Sequence, residues 1–231
     1  MNELTTGFYT TDKVALEIEP KRFAPAAASE EIVEEICNLN WTGLSTDELI
    51  NVAWAYYYFS VQFRENLLIA RELYPEDELL RELERGECDT DNLSPYPGVV
   101  KEGERLNHDE FMKRTLQLDT IEDDRRRFLE EIGAEYLARV RAFDKLTKAS
   151  TLASYENGGL ESVFGSILRA KHWDSPLLQA FKHFLEKHIQ LDSDEEAGHG
   201  ALCRHLPPTE GVSELWSAFR ASLVRAAPAL E

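Results

Sequence analysis

The apolar residues of this chain recur with the 3.6-residue period of an α-helix along almost its whole length. No segment shows the sustained alternation of apolar and polar residues that is typical of a half-buried β-strand. With 231 residues, the chain is long enough for one domain with a substantial core. We therefore predict a single-domain, all-α bundle of about seven to eight helices.

Capping and breaker residues set the ends of the predicted helices. Ser45 and Glu48 match a capping box at the start of a long helix that Pro75 ends. Ser175-Pro176 begins another helix, with Ser at the N-cap and Pro at the first helical position. We predict an irregular N-terminal arm over residues 1–28 and a helical domain over 29–231, with helices at 29–39, 46–74, 76–86, 99–118, 121–149, 151–171, 176–202 and 213–226 and a loop at 88–98.

Composition argues against several classes of partner. The chain has 25 basic and 43 acidic residues, a formal net charge of −18, so its surface repels nucleic acid and anionic membranes. No apolar run approaches membrane-spanning length, and no secretory signal pattern is present. The three cysteines, Cys37, Cys88 and Cys203, lack disulfide or zinc-site spacing. We expect a cytoplasmic protein, and a homodimer, that acts on a small molecule.

The helix predicted over 176–202 carries an apolar stripe that ends in ionisable residues. The stripe begins with Leu177, Phe181, Phe184 and Leu185. At the same helical spacing it continues to His188 and Asp192, and then to Glu195 or His199. Burying an ionisable group without a partner costs several kcal/mol, so these side chains require one. A metal ion satisfies imidazole and carboxylate together, and we predict that it binds here.

Three other predicted helices also place ionisable side chains on apolar faces. Glu65 shares a face of the 46–74 helix with several aromatic and aliphatic residues. Glu104 and His108 are spaced i, i+4 and can reach one ion, with Glu102 as the rival carboxylate. Glu156 lies in an apolar stripe just before two glycines, where we expect the helix to unwind. The candidate metal ligands are therefore Glu65, Glu104, His108, Glu156, His188, Asp192 and His199.

The candidate ligands combine carboxylates with imidazoles. Such donors suit iron or manganese better than zinc, which takes fewer ligands and often thiolate. The set is large enough for two ions. A ferritin-like bundle would need Glu-x-x-His on each of two helices. The chain offers that motif only at Glu196–His199, and Glu196 points away from the face of His188, so this fold is disfavoured.

Three segments of the chain resemble the non-haem di-iron oxidase branch of the haem-oxygenase-like fold. FLEKHIQLDSDE resembles its last core helix, which shows His-x-x-x-Asp and then a third ligand that is usually His. His188 and Asp192 match the first two positions, whereas Glu195 stands at the third and His199 follows one turn later. SYENGGLESVFGSIL resembles the helix with a metal-bridging Glu, here Glu156, and KEGERLNHDEFMKR the helix that supplies a carboxylate and His108.

The resemblance covers about residues 46–205 and implies a seven-helix bundle that binds two ferrous ions, or manganese, with O2 as co-substrate. It implies an oxidase or oxygenase for a small amine, amino acid or carboxylic acid. Haem is not implied, because carboxylates accompany His188. One alternative is a metal-independent relative similar to thiaminase, which uses a cysteine, or to pyrroloquinoline-quinone synthase, but we expect no cysteine beside the ligands. The other is a non-catalytic binding protein whose buried acids pair with Arg64, Arg105 or Arg139.

Overall fold

A computed structural model describes the backbone of residues 25–192 and 198–231 and the side chains of 27–191 and 198–231. This part of the chain is all-α, as predicted, and its β pairing is limited to two isolated bridges. The helices are α1 (Pro25–Cys37), α2 (Thr46–Leu73), α3 (Glu78–Glu87), α4 (His108–Thr115), α5 (Asp123–Arg141), α6 (Lys145–Ser154), α7 (Leu160–Ile167), α8 (Pro176–Asp192), α9 (His199–Cys203) and α10 (Val212–Ala226). A π-helical turn, Tyr155–Gly159, joins α6 to α7.

The long central helix α2 begins with the predicted capping box. The Glu48 backbone N–H donates to Ser45 Oγ at 3.3 Å, and the Ser45 N–H donates to the Glu48 carboxylate at 3.0 Å. Two N–H groups that the helix cannot satisfy internally thereby gain acceptors. From this start α2 runs through the middle of the bundle, where it contacts α4, α5, α6 and α10.

Replacing Ser45 with Ala is expected to lower the free energy of unfolding by about 1 kcal/mol, because the first turn of α2 loses its side-chain acceptor. Urea denaturation followed by circular dichroism measures the difference. Ser45→Thr retains a capping hydroxyl and should stay within roughly 0.5 kcal/mol of the parent. Equal losses in both variants would contradict a capping role for this residue.

The predicted helix over residues 99–118 is wrong in its first half. α4 begins only at His108, and the preceding residues form a loop that bridges Thr90 to Leu106. Gly98 and Gly103 have φ angles of 79° and 68° in this loop. These left-handed conformations are readily accessible to glycine and interrupt a helix. His108 therefore lies at the first turn of a short helix, and Glu104 lies outside it.

Other predicted helices differ from the structure at their ends. α1 begins at Pro25, four residues before the expected start, and the helix expected over 121–149 is divided between α5 and α6. The expected unwinding after Glu156 is confirmed, since Asn157 and Gly158 have non-helical angles, with a φ of 90° at Gly158. The helix expected over 176–202 is described to Asp192 and again from Gly198.

An aromatic core fills the space between the helices. Phe59 of α2 lies at ring-centroid distances of 4.4 Å from Phe219 and 4.9 Å from Tyr155. Tyr56, one turn earlier, contacts Phe184 of α8 at 5.4 Å. This core leads directly to the ends of α3 and α4, where polar residues are buried. None of the helices within residues 25–192 and 198–231 combines the length and hydrophobicity that a membrane span requires.

Candidate metal centre

Five ionisable side chains meet in the interior of the bundle. Each is at most 7% exposed, and each comes from a different segment. They are Glu87 of α3, His108 of α4, Glu156 of the π-helical turn, His188 of α8 and His199 of α9. Ionisable groups are rarely buried unless they are paired or bind a metal ion, so this cluster requires an explanation.

Glu87 lies at the middle of the cluster and faces histidines on both sides. Its Oε2 is 2.6 Å from His108 Nδ1, and its Oε1 is 2.9 Å from His199 Nδ1. Glu87 belongs to two sets of potential metal ligands. Within each set, the ligand atoms lie within 4.8 Å of one another. We call Glu87, His108 and His188 the first group, and Glu87, Glu156 and His199 the second group.

The hydrogen bonds of His188 determine which of its nitrogens carries the proton. Its Nδ1 lies 2.9 Å from the Phe184 carbonyl oxygen. Because a carbonyl only accepts, Nδ1 must be the donor. The Nε2 lone pair of the neutral ring therefore faces His108 Nδ1, at 2.9 Å.

Asn92 orients His108 in the same way. Its Nδ2 donates to the Gly86 carbonyl at 2.9 Å, which places its Oδ1 3.0 Å from His108 Nε2. Nε2 is then the protonated nitrogen, and the Nδ1 of a neutral ring offers a lone pair to the Glu87 carboxylate and to His188. Three atoms with lone pairs therefore face one another: Glu87 Oε2, His108 Nδ1 and His188 Nε2. Either an additional proton or a metal ion must lie among them.

The pKa values of two group members are shifted toward the metal-binding forms. Burial, and then the neighbouring His108, lowers the pKa of His188 to about 3, so its ring stays neutral. Burial alone would raise the pKa of Glu87, but His108 and His199 more than offset it and hold the value well below its usual range. A neutral imidazole and an ionised carboxylate are the forms that bind metals.

The second group is packed tightly around His199. Glu156 Oε2 lies 3.4 Å from His199 Nδ1, held there by the π-helical turn. A Cβ atom on Gly86 would lie 2.8 Å from His199 Nε2, and one on Gly200 would lie 2.8 Å from the Glu156 carbonyl oxygen. Glycine at both positions therefore makes room for the ring and for the turn that carries the carboxylate.

Replacing Gly86 with Ala is expected to weaken metal binding by the second group at least about tenfold, because the new methyl group displaces the His199 ring. The helix itself should become more stable, since Ala is favoured over Gly by about 1 kcal/mol within a helix. Gly165→Ala in α7 is the matched control, because a Cβ there meets no atom within 4 Å. Metal titration followed by calorimetry distinguishes the two variants. Equal affinities would show that His199 is not a ligand.

The distances within both groups fit shared metal ions. Two ligand atoms bonded to one ion at roughly 2.0–2.2 Å lie no more than about 4.4 Å apart. The measured separations of 2.6, 2.9 and 3.4 Å fall within this limit. The donors are carboxylate oxygens and imidazole nitrogens, which suit iron and manganese.

Two of the arginines expected in a purely structural cluster bind other carboxylates. Arg64 forms a bidentate pair with Asp109, at 2.8 and 2.9 Å. Arg105 lies 3.5 Å from Asp89 at the surface. These two guanidinium groups therefore pair with carboxylates other than Glu87 and Glu156.

The structure brings together four of the predicted ligands, namely His108, Glu156, His188 and His199. Glu65 lies elsewhere: its carboxylate binds Arg141 of α5 through two hydrogen bonds, and its side chain is 31% exposed. Glu104 binds Arg114 at 2.8 Å in the loop, and its rival Glu102 is exposed. The side chain of Asp192 and the whole of Glu195 lie outside the described residues.

Sequence reasoning missed Glu87, although a signal for it exists. Glu87 follows Leu80 and Leu83 at helical spacing, and all three are buried. The rule that selected His188, an ionisable residue on an apolar face, selects Glu87 as well. α3 is short and mostly charged, so it resembles a surface helix whose single buried acid is easily overlooked.

The expectation that no cysteine lies beside the candidate ligands is wrong, because Cys88 does. It directly follows Glu87, and it lines a small cavity together with His108, Glu156 and His188. Burial raises the pKa of its thiol to about 12. Without a metal ion the thiol therefore stays protonated at neutral pH, and a protonated thiol is a poor nucleophile. Its sulfur belongs to neither of the two groups.

The small cavity has a volume of about 20 Å³, enough for about one molecule the size of water. Its other walls are mostly aromatic and aliphatic, with three polar residues among them: Tyr56, Phe59, Phe63, Leu160 and Phe184, and Ser60, Arg64 and Asp109. Apolar walls exclude bulk water and strengthen electrostatic interactions inside. The cluster therefore lies beside a largely apolar space that admits a very small molecule.

Within the described residues, then, two buried groups that share Glu87 have the composition and spacing to hold metal ions. A metal is the simplest partner for their converging lone pairs, because it binds all of them at once. The chain matched none of the protein-family models, curated proteins and solved structures with which it was compared.

Proposed function

We propose that the protein is a non-haem di-iron oxidase or oxygenase that uses O2 to oxidise a small organic substrate. The observation that carries the proposal is the position of Glu87, which directs one carboxylate oxygen to each of two buried histidine-containing groups. A carboxylate in this position can bind two ions at once, and a pair of ions a few ångströms apart is a common catalytic arrangement.

The donor set supports iron. Each group offers carboxylate oxygens and imidazole nitrogens. Zinc sites favour fewer ligands and often thiolate, and the neighbouring Cys88 thiol belongs to neither group. Iron is therefore the preferred metal, with manganese as the alternative of similar ligand preference.

Two ferrous ions bound at this centre would supply the electrons that activate O2. The residues around them supply orientation and exclude water. The Phe184 carbonyl and the Asn92 amide fix the two rings of the first group, so that both lone pairs point inward. Most of the wall of the adjoining cavity is apolar, which limits the entry of bulk water, and its volume is too small for an organic substrate.

Anaerobic titration with ferrous iron, followed by exposure to O2, tests the proposal. We expect about two irons per chain, consumption of O2 and a transient visible absorption band. Zinc should bind to the same residues but produce no band, because it has no accessible redox chemistry. Absence of iron uptake, or uptake that His188→Ala leaves unchanged, would rule out the proposed centre.

A metal-independent reaction at Cys88 is the competing candidate, since this residue lines the cavity beside the histidines. The raised pKa of its thiol argues against it. We expect Cys88→Ser to leave iron uptake and O2 consumption within about twofold of the parent, because the thiol is neither ligand nor nucleophile. Loss of substrate turnover in this variant, without loss of iron, would favour the cysteine reaction instead.

A further inference from the structure

A second and much larger cavity lies behind Glu156. It has a volume of about 810 Å³ and lies between α1, the segment from α6 to α7, and residues 204–212. Ligand sites for small organic molecules are typically about 300–1,000 Å³. The π-helical turn separates this cavity from the metal centre: Glu156 belongs to the second group, and the next three residues line the cavity. This glycine-rich turn therefore contacts both the cavity and the metal centre.

The lining of the large cavity combines an apolar floor with two carboxylates. Val33, Ala153 and Leu206 contribute apolar surface. Glu30 and Glu34, one turn apart on α1, line the same cavity. Among the described residues neither of these two carboxylates forms an ion pair, whereas Glu35 on another side of α1 binds Arg220 at 3.2 Å.

Ser166 provides an independent indication of a ligand. It lies on α7, which packs against α1, and its side chain lines the cavity. The residue is only 8% exposed, yet its hydroxyl makes no hydrogen bond to another described residue. The oxygen is not enclosed by protein atoms but is open to the cavity. A ligand in the cavity would supply the missing partner.

We propose that the large cavity binds a small aliphatic primary amine. The ammonium group would lie between Glu30 and Glu34, within reach of the adjoining wall that carries Ser166, and the alkyl chain would cover the apolar floor. An ammonium group suits this lining because two carboxylates outnumber the cation Arg204, and because the chain as a whole carries a net charge of −18. Binding requires no metal. Only the role of the amine as the substrate to be oxidised rests on the proposed function.

Three six-carbon probes that differ only in the head group test this site on the full-length, metal-free protein. Hexylamine, hexan-1-ol and hexanoate are titrated at neutral pH, and binding is followed by protein NMR chemical shifts. We expect hexylamine to bind at least about tenfold more tightly than the other two, since only it pairs with the carboxylates. The largest shifts should fall on residues of α1, the π-helical turn and α7.

Variants of α1 separate specific binding from a general affinity for cations. The double substitution Glu30→Gln, Glu34→Gln should weaken hexylamine at least about tenfold, while Glu31→Gln on the same helix should change it less than twofold. Ala153→Phe fills the floor of the cavity and should abolish binding of all three probes. Circular dichroism confirms that each variant is folded.

Equal affinity for hexylamine and hexanoate, or no effect of the double substitution, would overturn the inference. Iron titration of the same samples keeps this outcome apart from the di-iron proposal. If the protein binds iron but no hexylamine, the amine-site proposal fails and the di-iron proposal stands. If the protein binds hexylamine but no iron, the amine site stands and the proposed oxidation of the amine fails.

Discussion

The substitution Glu87→Gln is expected to abolish binding of both metal ions. Glutamine keeps the size and shape of the side chain but removes the charge that both groups share. Each ion loses a carboxylate ligand, and the affinity of each should fall by more than about 100-fold, beyond the 10–100-fold typical of residues that only support a ligand. Inductively coupled plasma analysis after anaerobic loading and desalting measures the iron that remains.

Glu84→Gln is the matched control for this prediction. Glu84 lies one turn earlier on α3 and forms a partly exposed ion pair with Arg71, at 3.0 Å. Glu84 belongs to neither group, so this variant should bind iron as the parent does. Full iron content in Glu87→Gln would show that the central carboxylate is not a ligand, and the di-iron proposal would then fail.

The sequence predicted those members of the two groups that lie on one-sided apolar faces. In α8 the buried phenylalanines and leucines occupy a single stripe, and His188 continues it. The same holds for His108 beside Phe111 and Met112, which are fully buried in α4. On such helices the buried side is unambiguous from spacing alone, so an ionisable residue on that side stands out.

Glu65 shows where the same reasoning fails. α2 is apolar on nearly all sides, so its spacing does not define one buried face. The face chosen for Glu65 carries Leu68, which is 41% exposed, whereas the buried residues include Phe59 and Leu67. Which side of such a helix faces the core depends on how its neighbours pack, and a single sequence does not contain that information.

The prediction that Glu104 is a metal ligand fails for a different reason. Its spacing from His108 is meaningful only within a continuous helix, and the chain there forms a loop with Gly103 at a φ of 68°. Glu87, by contrast, is separated from His108 by a long loop, and no local pattern connects the two. Their 2.6 Å contact arises because the ends of α3 and α4 meet, which is a property of the tertiary fold.

The second large effect is expected from His188→Ala, which removes one of the two imidazoles of the first group. Iron content should fall from about two ions to about one per chain, because the second group keeps Glu87, Glu156 and His199. His183→Ala is the control on the same helix. That ring contacts Tyr96 at a centroid distance of 4.8 Å and belongs to neither group, so its loss should leave the iron content unchanged.

Added imidazole should restore the missing ion in His188→Ala. The deleted ring leaves a space beside Phe184, whose ring centroid lies 4.0 Å from that of His188, and imidazole fits it. The rescuing molecule must also donate to the Phe184 carbonyl, as His188 Nδ1 does at 2.9 Å. 1-Methylimidazole offers the same lone pair but no N–H group, so the buried carbonyl would lack its donor, and rescue should be at least about tenfold weaker. Equal rescue by both molecules would show that the carbonyl does not select the tautomer, and that the inward lone pair of His188 has another cause.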